Sequence, residues 1–372
     1  MKAGGFFSRH PTPFAIIRGC PLLFLGEDSG IRKPVGFNRQ AGRPGGAGGL
    51  EMLKVSVLVT TYNYADYVVL ALQSVFDQDY RGPVEIIVVD DGSTDATRER
   101  LAPYLDRIVY VHKENAGQGA AMNTAFNLAT GDVLMILDAD DLFHPAKVSA
   151  VADRFASEPH LSVVHHRLRL IGPKGELVNR AGELQTEPVL TIQTSEGEIG
   201  DRSIEKGFRW YFNPASGLSI SRRSAEIVFP LNASLRGSAD AQIAFLASLT
   251  GPVGFLAETL ADYRIHSLSI EQTAYAGASE RERKLKIAGV YSALREVQAV
   301  EGNRVLAALG KRGGLSPWLD INYIGYRSLL DGKPPKAYFR EAMKGIWGIA
   351  YLPWYTRLRK MTRLIRKKIV RG

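Results

Sequence analysis

Asp132-Val133-Leu134-Met135-Ile136-Leu137-Asp138-Ala139-Asp140-Asp141 runs a strand-forming apolar stretch straight into three carboxylates, and Phe143-His144-Pro145 follows as a helix-start signal. Three like charges this close repel and raise one another's pKa unless a cation neutralises them. A divalent metal holding a phosphorylated ligand meets that demand with hard oxygen donors. A solvated turn whose aspartates cap the next helix is the competing explanation. The flanking segments have to separate the two.

Upstream, Val55-Ser56-Val57-Leu58-Val59-Thr60-Thr61 reads as a buried strand, Tyr62-Asn63-Tyr64 as a turn, and Val68, Leu72, Val75 and Phe76 as one face of a helix. Past the Arg81-Gly82-Pro83 break, Glu85 to Val89 forms a second strand that ends in Asp90-Asp91-Gly92-Ser93-Thr94-Asp95. Ser93 or Thr94 is placed to cap the following helix, with Asp95 suited to its positive first turn. A third strand, Arg107 to His112, leads into Asn115-Ala116-Gly117-Gln118-Gly119, followed by a helix with Met122, Ala125, Phe126 and Ala129 on one face and Gly131 as its stop. After the acidic stretch, a helix from Pro145 turns Val148, Val151, Ala152 and Phe155 inward. Four strand-helix units in succession describe a parallel sheet wrapped on both sides. Polar loops follow each of the four strands, and in an open α/β sheet that edge is where ligands bind. No G-x-G-x-x-G follows the first strand and no G-x-x-x-x-G-K-[ST] occurs, so dinucleotide dehydrogenase and P-loop functions lose their main support.

The 372 residues are 45% hydrophobic, ample for a sizeable core. One cysteine, Cys20, makes no internal disulfide, so folding needs no oxidising compartment and a cytoplasmic location is the default. No apolar run reaches the roughly 20 residues of a spanning helix. The net charge of +9 is uneven: residues 342–372 hold nine bases and no acid, and residues 1–51 hold seven bases against three acids. The middle, residues 52–341, is therefore at −4, the wrong sign for a nucleic-acid enzyme's field. Residues 1–51 are rich in Gly, Pro and Arg and read as a disordered leader, with a start at Met52 as an alternative.

Val59-Thr60-Thr61-Tyr62-Asn63, Val89 to Asp95, Asn115-Ala116-Gly117 through Asn123, and Gly131 through Asp141 together resemble the inverting nucleotide-sugar glycosyltransferases of family 2, with the GT-A fold. The likeness runs from about Lys54 to His266, tight in its first half and looser in its second, where Ser238-Ala239-Asp240 and Tyr263-Arg264-Ile265-His266 carry it. It implies a Rossmann-like mixed sheet flanked by helices, with residues 52–268 as the transferase domain and residues 269–372 as a helical C-terminal extension. It also implies a nucleotide-sugar donor, UDP-linked, and Mg²⁺ or Mn²⁺ as cofactor.

Carried over by residue, the resemblance places Asp91 on a uracil-type base and Thr61, Tyr62 and Asn63 around the base pocket. Asp90, Asn115 and Gly117 fall in the nucleotide site, Asp138 on the ribose, Asp140 on the metal, and His266 over the diphosphate or in the metal shell. Asp240 becomes the general base. Here the chain departs from the family pattern: Ala239 stands where a Glu is common, and no Arg occurs from Gln242 to Leu246. That departure keeps open a second class, a nucleotide-sugar-binding protein without turnover. A nucleotidyltransferase is disfavoured by the lack of a Gly- and Lys-rich triphosphate loop.

His165 and His166 point to opposite faces of a strand and share no metal. Trp210, Tyr211 and Phe212 suit either core packing or an acceptor sugar. Helical texture resumes over Glu280 to Glu301, Ile321 to Leu330 and Lys336 to Ile349. In the tail, Trp354, Leu358, Met361, Ile365 and Ile369 form an apolar stripe among basic residues, the pattern of a helix on an anionic membrane surface. A basic helix docked on its own protein fits the same pattern. Neither a Gln-x-x-Arg-Trp motif nor spanning helices are present, which points to single addition of a sugar, with a glycan or lipid-linked acceptor and a place in surface glycan or glycolipid synthesis.

Overall fold

The computed structural model describes residues 52–179, 181–190, 214–234, 236–267, 279–311 and 330–332. The leader, the Trp210-Tyr211-Phe212 triplet, the basic tail and most of the last two expected helices lie outside the described residues.

The first half alternates as its periodicity predicts. Strand β1 (Val55–Thr61) leads to α1 (Val68–Phe76), β2 (Val84–Asp90) to α2 (Thr97–Leu101), β3 (Val109–His112) to α3 (Gln118–Leu128), and β4 (Val133–Asp138) through the two-residue β5 (Leu142–Phe143) to α4 (Lys147–Ser157). Beyond these come β6 (Val163–Ile171), β7 (Leu218–Ser221), α5 (Arg222–Val228), α6 (Ala239–Ser248), β8 (Val253–Arg264) and α7 (Glu280–Ala308). The described strands form one sheet in the order β3-β2-β1-β4-β7-β6-β8-β5.

The wholly parallel sheet expected from the alternation holds only for β3, β2, β1 and β4. Beside β4 lies β7, antiparallel to it and to β6; β6 and β8 pair in parallel, and β5 closes the far edge antiparallel to β8. The sheet is therefore mixed, as the family resemblance implied. A four-residue strand far from its partner in sequence carries too little pattern to reveal its direction.

Successive strand residues point to opposite faces, and the two faces feed two apolar layers. Leu58, Ile87, Val89, Leu134 and Ile136 pack with Met122 and Ala125 of α3, Ile243 and Leu246 of α6, and Val305 and Leu306 of α7. Val57, Val59, Val88, Met135 and Leu137 pack with Leu72 and Val75 of α1 and with Val148, Val151 and Phe155 of α4. Helix α7 starts in a capping box of Ser279 and Glu282. Arg304 staples it to α5 through the Ile227 and Val228 carbonyls, at 2.9 and 2.6 Å.

Two local expectations give way to tertiary contacts. Ser93 and Thr94 do not cap α2; Ser93 Oγ accepts from Asn63 N–H at 2.9 Å, and Thr94 N–H donates to Asn63 Oδ1 at 2.8 Å, which clasps the loops after β1 and β2 together. Asp95 serves the helix start, accepting from Thr97 N–H at 3.0 Å. Gly131 ends no helix, because α3 already stops at Leu128 with an extended Ala129. Its missing side chain instead lets the chain press on β1, where a Cβ would sit 2.6 Å from Ser56 N.

Candidate active site

Register sets the site before any side chain is considered. Thr61 lies opposite Asp90, and Thr60 opposite both Val89 and Asp138, so the carboxyl ends of β1, β2 and β4 finish at one level. Strand β8 runs the same way through its pairing with β6, and delivers Arg264 and His266 to that edge.

The residues expected around a nucleotide base divide by what their polar atoms do. Asp90 is fully buried and inward: Oδ1 accepts from Ser93 N–H at 2.8 Å, and Oδ2 meets the Tyr110 hydroxyl at 2.9 Å and His112 Nδ1 at 3.2 Å. Burial alone would raise its pKa, but these hydrogen bonds outweigh it and lower it. Asp90 shapes the loop.

Asp91 holds the next loop, accepting from Lys113 Nζ at 2.6 Å, Ala116 N–H at 3.1 Å and Gly117 N–H at 2.7 Å. A carboxylate has about four acceptor directions, so one remains for a ligand N–H. Thr61 is buried, and its Oγ1 has no hydrogen-bond partner among the described residues. Tyr62 leaves its ring 47% exposed, open to a planar ligand. Asn63 adopts a left-handed backbone, φ 57°, to make the clasp described above.

Asn115 accepts from the Arg236 guanidinium through Oδ1. Gly117, at φ 92°, is pressed against the Arg236 backbone, where a Cβ would come within 2.7 Å of Cα. The loop before α6 thus closes over the loop before α3, and Gln118 makes the link exact in chemistry: Oε1 accepts from Ala239 N–H at 3.1 Å, while Nε2 reaches Asp138 Oδ1 at 3.4 Å.

Asp138 and Asp240, 102 positions apart, end up as electrostatic neighbours. Burial, then the charges of Asp140 and Asp240, raise the Asp138 carboxyl well above its ordinary range. Burial likewise raises Asp240, against a 2.7 Å hydrogen bond from Ala241 N–H. Asp141, fully buried, is raised by burial and then by Asp140 and Asp138. The cluster repels itself as the sequence predicted.

The Tyr-Arg-x-His segment braces this acidic turn. Arg264, buried, donates from Nε to the Asp140 carbonyl at 2.7 Å and from its backbone N–H to Asp141 Oδ1 at 2.8 Å. His266 Nε2 lies 2.9 Å from Asp140 Oδ2, with its ring against Tyr64 and Tyr67. The contact holds the Asp140 carboxyl in one orientation. Tyr64 is itself pushed up by burial and by the charges of Asp140, Asp138 and Asp141.

Gln118, Ser216, Lys113 and Arg236 escaped the sequence-based assignment of roles. Gln118 lay in a quoted stretch but without a visible partner, and the other three sit in loops with no periodicity to flag them. His165 and His166 are both fully buried on β6, away from this edge's acidic turn in sequence and given no role.

A parallel half-sheet with polar loops and a carboxylate cluster at its carboxyl edge presents those groups where open α/β sheets bind their ligands. The glycosyl transferase family 2 model matches residues 56–208. An uncharacterized glycosyltransferase of Nostoc sp. is 35% identical over 239 residues, which is 62% of this chain and 71% of that protein. The chain belongs to glycosyl transferase family 2. It spans only 21% and 29% of two further relatives, glycosyltransferases of Rickettsia felis and Rickettsia typhi. Among solved structures it is similar to Staphylococcus aureus TarS 1–349 in complex with UDP, with 19% identity, coverage of 78% and 87% of the two chains and a TM-score of 0.47. Similar too is the mannosyltransferase PcManGT of Pyrobaculum calidifontis in complex with GDP-Man and Mn²⁺, with 18% identity, coverage of 86% and 87% and a TM-score of 0.46.

Proposed function

We propose that this protein transfers a sugar from a nucleoside-diphosphate donor, UDP-linked, to a hydroxyl acceptor with inversion at the anomeric carbon. One observation carries the proposal: carboxylates from two distant elements, Asp138 and Asp140 at the end of β4 and Asp240 on α6, come to one edge, where burial and the neighbouring carboxylates raise Asp138 and burial raises Asp240. Asp262 is the contrast: there pairing with His144 and Arg169 outweighs burial and lowers the carboxyl.

The base enters beside Tyr62 and Thr61, and a base N–H takes the remaining acceptor direction of Asp91. Asp138 then faces the ribose and Asp140 the diphosphate. These hard oxygens fit Mg²⁺ or Mn²⁺. Among the described residues no three His, Cys, Asp or Glu side chains form a ready cage, which suits an ion that shares its shell with phosphate oxygens and water. When bound, such an ion takes up the charge that develops on the departing diphosphate. Asp140 would hold it, with His266 keeping that carboxylate aimed.

Asp240 removes the proton from the attacking acceptor hydroxyl. Burial raises its pKa, which makes it a stronger base than a solvated aspartate. The acceptor side, on this proposal a glycan or lipid-linked hydroxyl, abuts α6. No described helix is long and apolar enough to cross a membrane. The basic stripe over residues 354–371 would hold the protein on the anionic inner face of the membrane, and nucleic acid is no partner. Vesicle flotation tests this: binding to anionic vesicles at low salt supports it, and indifference to them refutes it.

Turnover of UDP-sugars with Mn²⁺, lost in Asp140→Ala and in Asp240→Asn, is the expected result. UDP binding without any turnover would instead establish the non-catalytic binding protein that Ala239 and the missing arginine leave open.

A further inference from the structure

Lys147, the first residue of α4, is fully buried, the largest such side chain among the described residues. Its ammonium donates to the Ser216 carbonyl at 2.5 Å and lies 3.6 Å from the centre of the Phe143 ring. Burial pulls its pKa well below the ordinary lysine range, and the negative charge of buried Asp141 works against that pull. An isolated buried ammonium is costly, and an apolar chain of the same length would pack on Phe143 without the penalty. Packing therefore does not account for a lysine here.

The contacts above it do. Ser216 sits on a short turn, and while its carbonyl accepts from Lys147, its Oγ accepts from Asp138 N–H at 3.0 Å. Asp141 N–H donates to the Asp138 carbonyl at 3.0 Å, closing the turn that contains Asp140. Lys147 thus stands under both ends of the acidic turn: through Ser216 at Asp138, and through charge at Asp141. Arg264 braces the same turn from β8, gripping the Asp140 carbonyl.

We propose that Lys147 is a positioning residue for the acidic turn, fixing Ser216 and balancing Asp141 from beneath so that Asp138 faces the donor's ribose and Asp140 its diphosphate and cation in one arrangement. The proposal rests on the transferase function above. Lys147 touches neither donor nor acceptor, and acts through Ser216 and Asp141.

The test measures UDP affinity by calorimetry on the full chain, once with Mn²⁺ and once with chelator, for wild type, Lys147→Met and Lys147→Gln. Met keeps the length without donor or charge; Gln keeps a donor for the Ser216 carbonyl. In Lys147→Met the enhancement of UDP binding by Mn²⁺ falls about 10- to 100-fold, the usual effect of losing a group that orients metal ligands. Affinity in chelator falls much less, because the base pocket is built from other loops and only the ribose contact of Asp138 is disturbed. Lys147→Gln recovers part of the enhancement. Wild-type enhancement in a Lys147→Met protein whose circular dichroism shows it folded overturns the proposal. So does failure of both variants to fold, which would make Lys147 a stability residue alone. If wild type itself shows no Mn²⁺ effect, it is the metal-assisted transferase function that fails, and this inference falls with it.

Discussion

The amino edge of the parallel half-sheet and the acidic turn at its carboxyl edge treat their acids in opposite ways. At the amino edge, Glu85 accepts from Ser56 Oγ at 2.5 Å, Thr130 N–H at 2.6 Å and Gly131 N–H at 3.1 Å, and pairs with Lys54 at 2.8 Å. Burial would raise its pKa, yet those partners outweigh it and bring it down to about 2. At the carboxyl edge, Asp138, Asp141 and Asp240 are all raised. The first edge ties three strands together by giving every charge a partner. The second leaves Asp138 and Asp240 raised even though His266 pairs with Asp140, an arrangement that favours a cation-bearing ligand.

The sharpest way to break this comparison is at Asp240, the proposed general base. Asp240→Asn should lower kcat by about 10²- to 10⁴-fold while UDP affinity stays unchanged, since only the acceptor proton loses its destination. Steady-state kinetics beside calorimetric titration reads both.

Glu85→Gln probes the opposite edge. Its folded pKa lies below the unfolded value of about 4.3, so its contribution is present above that pH and is lost as pH falls toward 2. A stability loss of about 2–3 kcal/mol at neutral pH, fading in acid, is expected in urea unfolding. An equal loss at pH 7 and pH 3 would refute the charge-based explanation.

Gly131→Ala forces a Cβ to within 2.6 Å of Ser56 and should cost about 1–3 kcal/mol by overpacking the same edge. Turnover per folded molecule should not change, because the site lies at the other end of the strands.

The smallest effect has the opposite sign. Asp138 has its folded pKa raised, so its ionised form opposes folding at neutral pH and the penalty is relieved as pH falls through the folded value. Asp138→Asn should therefore raise stability by about 0.5–2 kcal/mol while weakening the donor's binding. A thermal midpoint that drops instead would show the carboxylate to be a structural partner.

The difference between the edges also explains what could be read without coordinates. The carboxyl edge was legible because its residues fall directly after strands: Thr61 to Asn63, Asp90 and Asp91, Asn115 to Gly117, and Asp138 to Asp141 each interrupt an apolar run. The amino edge was not, since Lys54, Glu85 and Thr130 look like ordinary surface residues until three strand starts are aligned. Within the site, Asp90 shares Asp91's sequence context yet turns inward to Tyr110 and His112. Local pattern does not distinguish neighbours on a loop that points one in and one out.

From its residues alone the chain declared alternating strands and helices, polar loops at four strand ends and an acidic turn that repels itself, because strand period, helix period and charge spacing are properties of adjacent residues. Tertiary structure alone decided that β7 inserts antiparallel beside β4, that Asp240 comes beside Asp138, and that Lys147 lies under the turn it follows. Those outcomes depend on which distant surfaces bury one another, and no local period records that.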